Sequence, residues 1–300
     1  MKTNVVNVKK ITAVAVAFLL MILSVSYSGS KSDAANTART YRIFNAKTGA
    51  KIGSDYTLNA LPAEDNSRSI IGDDERVIDW TKSGVVKLMS SNDYIGSGFV
   101  VSDHVIATAA HCAYDKLAKK GLPISEILLF DNNGNVTMHA TPVQSHIPVD
   151  YINNLSDNVD FKYENYDYAL ITVKEDLSAY ACFNLGVPLD SFVNGNSAVT
   201  VTGFPGDYNT YTTHMKYSSN GIIYGGDNSL IYYSADTIGG NSGGPVYLTE
   251  SAYGRTYYTV VAIHAYRPHK NNNIDHTAGN HGTRITTDLI HFYKRNPNIQ

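Results

Sequence analysis

The stretch from Ser234 to Val246, SADTIGGNSGGPV, sets one serine, Ser242, between glycines on both sides and then runs into the strand-like segment PVYLT. Glycines permit a tight turn in which successive backbone N–H groups converge on one point. Converging amides suit an acyl-transfer transition state, because negative charge develops there on the former carbonyl oxygen. The N–H groups of Gly240 and Ser242 are the candidate oxyanion donors. A glycine-rich hairpin alone also accounts for such glycines, so the motif needs partners elsewhere in the chain.

A serine hydroxyl is a weak nucleophile until a base takes its proton. His111, in VIATAAHCAY, ends an apolar strand among small residues that leave room beside its ring. Asp167, in NYDYALITV, opens a strand where a half-buried carboxylate would orient that imidazole; Asp160 is a rival in a more polar loop. Each residue alone is ordinary, and a satisfied core histidine is the plain alternative for His111. The order His, Asp, Ser, each at a strand edge or turn, is far less ordinary.

The surroundings read as β structure. Short runs such as GVVKLMS, EILLFD, YALITVK, SAVTVTGFP, LIYYSA and TYYTVVAIHAY are divided by Gly, Asn, Asp and Pro turns, the spacing of barrels or a sandwich. Only TTDLIHFYKRN has helical spacing, with Leu289, Ile290, Phe292 and Tyr293 on one face and Thr287 or Asp288 as the cap. The 300 residues are 43% hydrophobic and 17% charged, with a net charge of -3. That is enough chain for a sizeable core, and the charge gives no electrostatic case for nucleic acid.

Lys9 and Lys10 precede an apolar run, Ile11 to Leu23, and Ser32-Asp33-Ala34 offers a small-x-small cleavage site. The run is shorter than the roughly 20 residues of a membrane span, so 1–35 reads as a signal peptide. Residues 36–68 are polar and weakly patterned, and read as a propeptide or linker rather than a core-forming unit. They end on Arg68, a candidate processing site before Ser69. Two cysteines, Cys112 and Cys182, either form one disulfide or stay as buried thiols.

TAAHC, YDYALI and GGNSGGPV resemble the catalytic segments of chymotrypsin-fold serine proteases. SIIGDDER, GFPGD, DTIGGNSGGPV, AIHAY and HGTRIT narrow the resemblance to secreted glutamyl endopeptidases of Gram-positive bacteria. The resemblance implies an all-β fold of two six-stranded antiparallel barrels with a short C-terminal helix. The first barrel, with an N-terminal arm, would span 69–183, and the second, with the helix, 184–300. His111 would then be general base and acid, Asp167 its orienting partner and Ser242 the nucleophile. The implied protein is a secreted, extracellular monomer made as a zymogen. It acts on proteins or peptides with acidic residues, is activated by another protease and carries no cofactor or metal. Members of the family often pair the cysteine after the catalytic histidine with one in the preceding strand. Here YIGSGFVV has none.

The pocket poses a conflict of charge. Asp236 lies six residues before Ser242, where trypsin-like enzymes keep an acid for lysine or arginine. His264 falls on one strand face with Tyr258, Val260 and Ala262. The resemblance carries His264 and Thr237 over as ligands of a substrate carboxylate. An unpaired Asp236 facing a substrate glutamate in a dry pocket would cost several kcal/mol, so the two readings exclude one another. Glutamate is the favoured reading. Its rivals are trypsin-like cleavage through Asp236 and a catalytically weak binding or toxin module on the same fold. Arg267 and the freed amino group of Ser69 are candidate sources of positive potential at the pocket. DNNGN, from Asp131 to Asn135, reads as a turn rather than a calcium loop, and His269, His276 and His281 as solvated rather than metal-binding.

Overall fold

The computed structural model describes residues 38–58, 76–91, 93–155, 162–181, 183–194, 196–266, 269–270, 275–276 and 279–294. The chain divides into two units, residues 1–35 and 36–300. The proposed signal peptide, Arg68, Ser69, Asp160, Cys182 and Arg267 all lie outside the described residues. No described helix is long and apolar enough to cross a membrane.

Two sheets hold the second unit together, and each closes on itself. In the first, Glu126–Phe130, Val85–Met89, Tyr94–Ser102, Val105–Thr108 and Ala169–Val173 lie side by side. The run Val136–Ala140 and Pro142–Pro148, parted only by Thr141, pairs with Glu126–Phe130 at one end and Ala169–Val173 at the other. That completes a ring of six strands, the closure that removes free sheet edges. Ala169–Val173 is buried along its whole length, which fits its unbroken apolar run ALITV. In the second sheet Arg255–Tyr266, Pro245–Ala252, Ala198–Gly203, Tyr217–Gly226, Leu230–Tyr233 and Asn280–Arg284 form another ring, closed by Asn280–Arg284 pairing back onto Arg255–Tyr266. The expected pair of barrels is present.

Three boundaries differ from expectation. Phe183–Leu185 lies parallel to Tyr258–Val260 in the second sheet, so a division after residue 183 falls inside a strand. The C-terminal helix, Thr287–Lys294, packs its Leu289, Phe292 and Tyr293 into the core of the first barrel, and Tyr293 donates a hydrogen bond to the Ala169 carbonyl at 3.2 Å. Its first turn is capped by Thr286, whose Oγ1 accepts from the Leu289 amide at 3.3 Å, rather than by Thr287 or Asp288.

Residues 39–58, read as lying outside any core, form a hairpin of Arg39–Asn45 and Lys51–Leu58 that extends the first sheet along Pro142–Pro148. Tyr41, Phe44 and Ala46 are buried. A bulge between Tyr41 and Ile43 breaks the alternation, so the buried Tyr41 and Phe44 are three residues apart rather than two. The period-2 signal of a strand is absent from the sequence for that reason. The hairpin turn rests on Asn45, whose Oδ1 accepts the amides of Lys47 and Thr48, and on Gly49 at φ +69°.

Candidate active site

His111 sits in a single 3-10 turn, Ala110–Cys112, directly after the strand Val105–Thr108. Asp167 lies between the turn Lys162–Tyr166 and the strand Ala169–Val173. The register of those two strands, Ala169 opposite Thr108, brings both residues to one end of the first barrel. Asp167 Oδ1 accepts the His111 amide at 2.9 Å and Oδ2 meets His111 Nδ1 at 2.7 Å. The carboxylate is fully buried, whereas 30% of the imidazole side chain is exposed. Burial opposes the imidazolium, but the Asp167 carboxylate, with Cys112 and the hydrogen bonds adding to it, raises the His111 pKa well above its ordinary value. Burial likewise opposes the Asp167 charge, and His111 outweighs it, holding the carboxyl low.

The second barrel supplies Ser242 from the turn before Pro245–Ala252. Its carbonyl accepts the Ser97 amide at 2.8 Å and lies 3.6 Å from Cys112 Sγ, which puts the serine beside the His111 turn. Its hydroxyl makes no hydrogen bond among the described residues. Such contacts commonly tighten only when substrate is bound.

The glycine loop is sorted amide by amide. Asn241, Gly243 and Gly244 donate to the carbonyls of Ile238, His264 and Asn241, while the Gly240 and Ser242 amides have no acceptor among the described residues. These two are the donors expected from the sequence. The Gly239 carbonyl accepts the Gly206 amide at 2.7 Å. In a trans peptide that turns the Gly240 N–H to the opposite side. Gly240 and Gly243 have φ of +103° and +83°, and a Cβ on Gly243 would fall 2.1 Å from Thr108 Oγ1, so glycine is required there.

Two supporting side chains were not anticipated. Ser97 Oγ donates to the Gly240 carbonyl at 2.8 Å and accepts the Phe204 amide at 2.9 Å, tying the Ser242 loop to the first barrel. Lys87, buried in an otherwise apolar strand, places Nζ 2.8 Å from the carbonyls of Thr210 and Thr213 and 3.2 Å from Asn209 Oδ1. It pins the loop that also carries Gly206. Both contacts join residues over 100 positions apart, and only a buried lysine among apolar neighbours hinted at one of them.

On the pocket side, His264 is 97% buried, its exposure being 3%. Its backbone pairs with Gly243 and Gly244, next to Ser242. Nδ1 lies 2.6 Å from the Tyr233 hydroxyl. Nε2 has no partner among the described residues and is not among the unpaired atoms sealed from solvent, so it keeps a small contact with solvent. Burial, with His281 and His111 adding to it, pushes the His264 pKa down to about 3, so the ring is neutral. Thr237 is half-buried. Asp236 donates its amide to Ser219 Oγ, and its Oδ2 is closed off from solvent.

Cys112 is a free, buried thiol, and Cys182, its candidate partner, lies outside the described residues. His281 is neither solvated nor in a metal cluster: it is fully buried, with Nε2 3.1 Å from Glu164 Oε2. The His269 and His276 side chains lie outside the described residues. Asp131 accepts the amides of Asn133 and Asn135 at 2.8 and 2.9 Å, the turn that DNNGN suggested.

The family described as trypsin-like peptidase domain matches residues 96–253. The chain belongs to that family. This trypsin-like peptidase is 27% identical over 229 residues to a glutamyl endopeptidase of Bacillus licheniformis, covering 74% of this chain and 67% of that protein. It is also 29% identical over 245 residues to a Bacillus subtilis protein named extracellular metalloprotease, covering 74% of this chain and 67% of that one. A solved structure of a Glu endopeptidase in complex with MPD superposes with a TM-score of 0.56 at 18% identity, over 75% of this chain and 98% of that chain, a likeness of fold. The peptidase is a serine endopeptidase of the glutamyl endopeptidase type.

Proposed function

We propose that the protein is a secreted serine endopeptidase, made as a zymogen, that cleaves peptide bonds after glutamate and less well after aspartate. Catalysis runs through His111, Asp167 and Ser242. Asp167 holds Nδ1–H of His111, leaving Nε2 to take the Ser242 proton as Oγ attacks the scissile carbonyl. The oxyanion that forms is met by the amides of Gly240 and Ser242. His111 then gives its proton to the departing amine, and water repeats the sequence in reverse to release the acyl group.

The observation that carries the glutamate preference is the Nε2 of His264, without a partner among the described residues and not sealed from solvent, on a residue whose backbone bonds Gly243 and Gly244. The relative named glutamyl endopeptidase adds to it. Secretion is supported by the apolar run after Lys9 and Lys10.

The test compares kcat/KM for peptides differing only in Glu, Asp, Lys or Arg before the scissile bond. Cleavage after Glu is the expected result, and cleavage after Lys or Arg would transfer the pocket to Asp236. An organophosphonate probe should label Ser242, with labelling lost in Ser242→Ala. Absence of labelling in the parent enzyme would favour a binding module.

A further inference from the structure

His264 has two possible neutral tautomers, and its neighbour chooses between them. Tyr233 is fully buried, and its hydroxyl has one partner among the described residues, His264 Nδ1 at 2.6 Å. If Nδ1 carried the ring proton, the phenolic proton would be sealed inside the barrel with no acceptor, and buried donors are rarely left so. The hydroxyl therefore donates, Nδ1 accepts, and the ring proton resides on Nε2, the nitrogen that keeps contact with solvent. Burial keeps the phenol protonated and the imidazole uncharged.

We propose that Tyr233 is a positioning residue that fixes His264 as an Nε2–H donor, so that the pocket receives a substrate carboxylate through a neutral, donor-only group. This rests on the glutamate reading and deepens it. A donor-only wall repels lysine and arginine, which bring only donors, whatever the protonation of the surface. It binds glutamine less well than glutamate because hydrogen bonds to charged acceptors are the stronger ones.

The experiment uses the intact enzyme with labelled histidine. Its nitrogen–proton NMR spectrum should show His264 with Nδ1 bare and Nε2 protonated. In Tyr233→Phe that single tautomer should be lost. The ratio of kcat/KM for Glu over Gln peptides should fall about tenfold, carried mainly by KM. A parent His264 protonated on Nδ1 overturns the proposal even if the enzyme prefers glutamate. So does a Tyr233→Phe variant with tautomer and Glu/Gln ratio unchanged. A parent enzyme that prefers Lys or Arg overturns the glutamate reading, and the proposed ligand with it, even with the tautomer as stated.

A separate observation concerns the hairpin 39–58. Tyr41 stacks on Phe292 with ring centroids 4.1 Å apart, and its hydroxyl lies 3.2 Å from that of Tyr168, the neighbour of Asp167. Tyr56 bonds His146 Nδ1 at 2.9 Å, and the Ala46 and Gly49 carbonyls accept the amides of Ile124 and Gly121 at 2.8 and 3.0 Å. Removing the hairpin would bare an apolar face and the edge of Pro142–Pro148. We infer that this hairpin is a permanent strand pair of the working enzyme, held without a covalent link once the chain is cut after Arg68. A variant with a site-specific protease sequence in place of residues 65–71 allows the cut to be made at will. After cleavage, the hairpin fragment should co-elute with the peptidase in native gel filtration and separate only in denaturant, with activity lost. A fragment that elutes alone while the remainder keeps full activity overturns the inference.

Discussion

His111 Nδ1 lies 2.7 Å from Asp167 Oδ2, and His281 Nε2 lies 3.1 Å from Glu164 Oε2. The two contacts are chemically alike and they are neighbours. Thr283 Oγ1 touches the carbonyls of both Asp167 and Glu164, and the Tyr266 ring stands 5.6 Å from His111 and 5.3 Å from His281. What separates them is access and origin. Both members of the first pair come from one barrel, and 30% of its imidazole side chain is exposed. In the second pair Glu164 belongs to the first barrel's loops and His281 to the second barrel, and both are sealed. A histidine–acid contact becomes a proton carrier only where one ring nitrogen is left open to a partner; closed on both sides, the same contact is a clamp between barrels.

That contrast can be broken most directly at the acids. Asp167→Asn should lower kcat on the order of 10⁴-fold, because the imidazole loses the acceptor that fixes its tautomer. Glu164→Ala should instead act on stability, costing about 3 kcal/mol by urea denaturation while kcat stays within about tenfold. A catalytic loss in Glu164→Ala as deep as in Asp167→Asn would erase the distinction.

Acidity sharpens it. The raised His111 pKa sets the acid limb of kcat/KM, which should fall at a pH above the ordinary histidine value of 6.5. Because His111 gains affinity for its proton on folding, it stabilises the protein fully at low pH and loses that contribution as pH rises through its folded-state value. His146, under the hairpin, acts in the opposite sense. Burial lowers it to about 4 from 6.5, so the unfolded chain takes up the proton first. Stability should drop on the order of 3 kcal/mol between pH 6.5 and 4, and His146→Gln should flatten that slope in a Tm series.

The smallest expected effect tests how far the Ser242 loop depends on the other barrel. Ser97→Ala leaves the Gly240 carbonyl and the Phe204 amide without their shared partner. It should reduce kcat about tenfold with KM little changed, the pattern of a displaced oxyanion donor.

The legible parts of this molecule are those written in neighbouring residues. The Gly240 to Gly244 turn, the strand before His111 and the apolar run after Asp167 each announce themselves locally, and the structure places them as read. The hairpin was missed because its bulge set Tyr41 and Phe44 out of phase. Tyr233, Ser97, Lys87 and the His281–Glu164 contact were missed for another reason: each acts through a partner far along the chain. No local pattern in GSGFVV records that Ser97 will meet Gly240, 143 residues on.

Arg39 and Asp288, 249 residues apart, meet at 3.4 Å where the first hairpin touches the last helix. Tyr41 on Phe292 closes the same seam. A ribosome delivers the chain from its N-terminus, and contacts between such distant residues form late. The first barrel, which holds His111 and Asp167, therefore completes its core only when Thr287–Lys294 has packed against it. The hairpin and the helix thus mark the shortest span of chain that supports His111 and Asp167 from both sides.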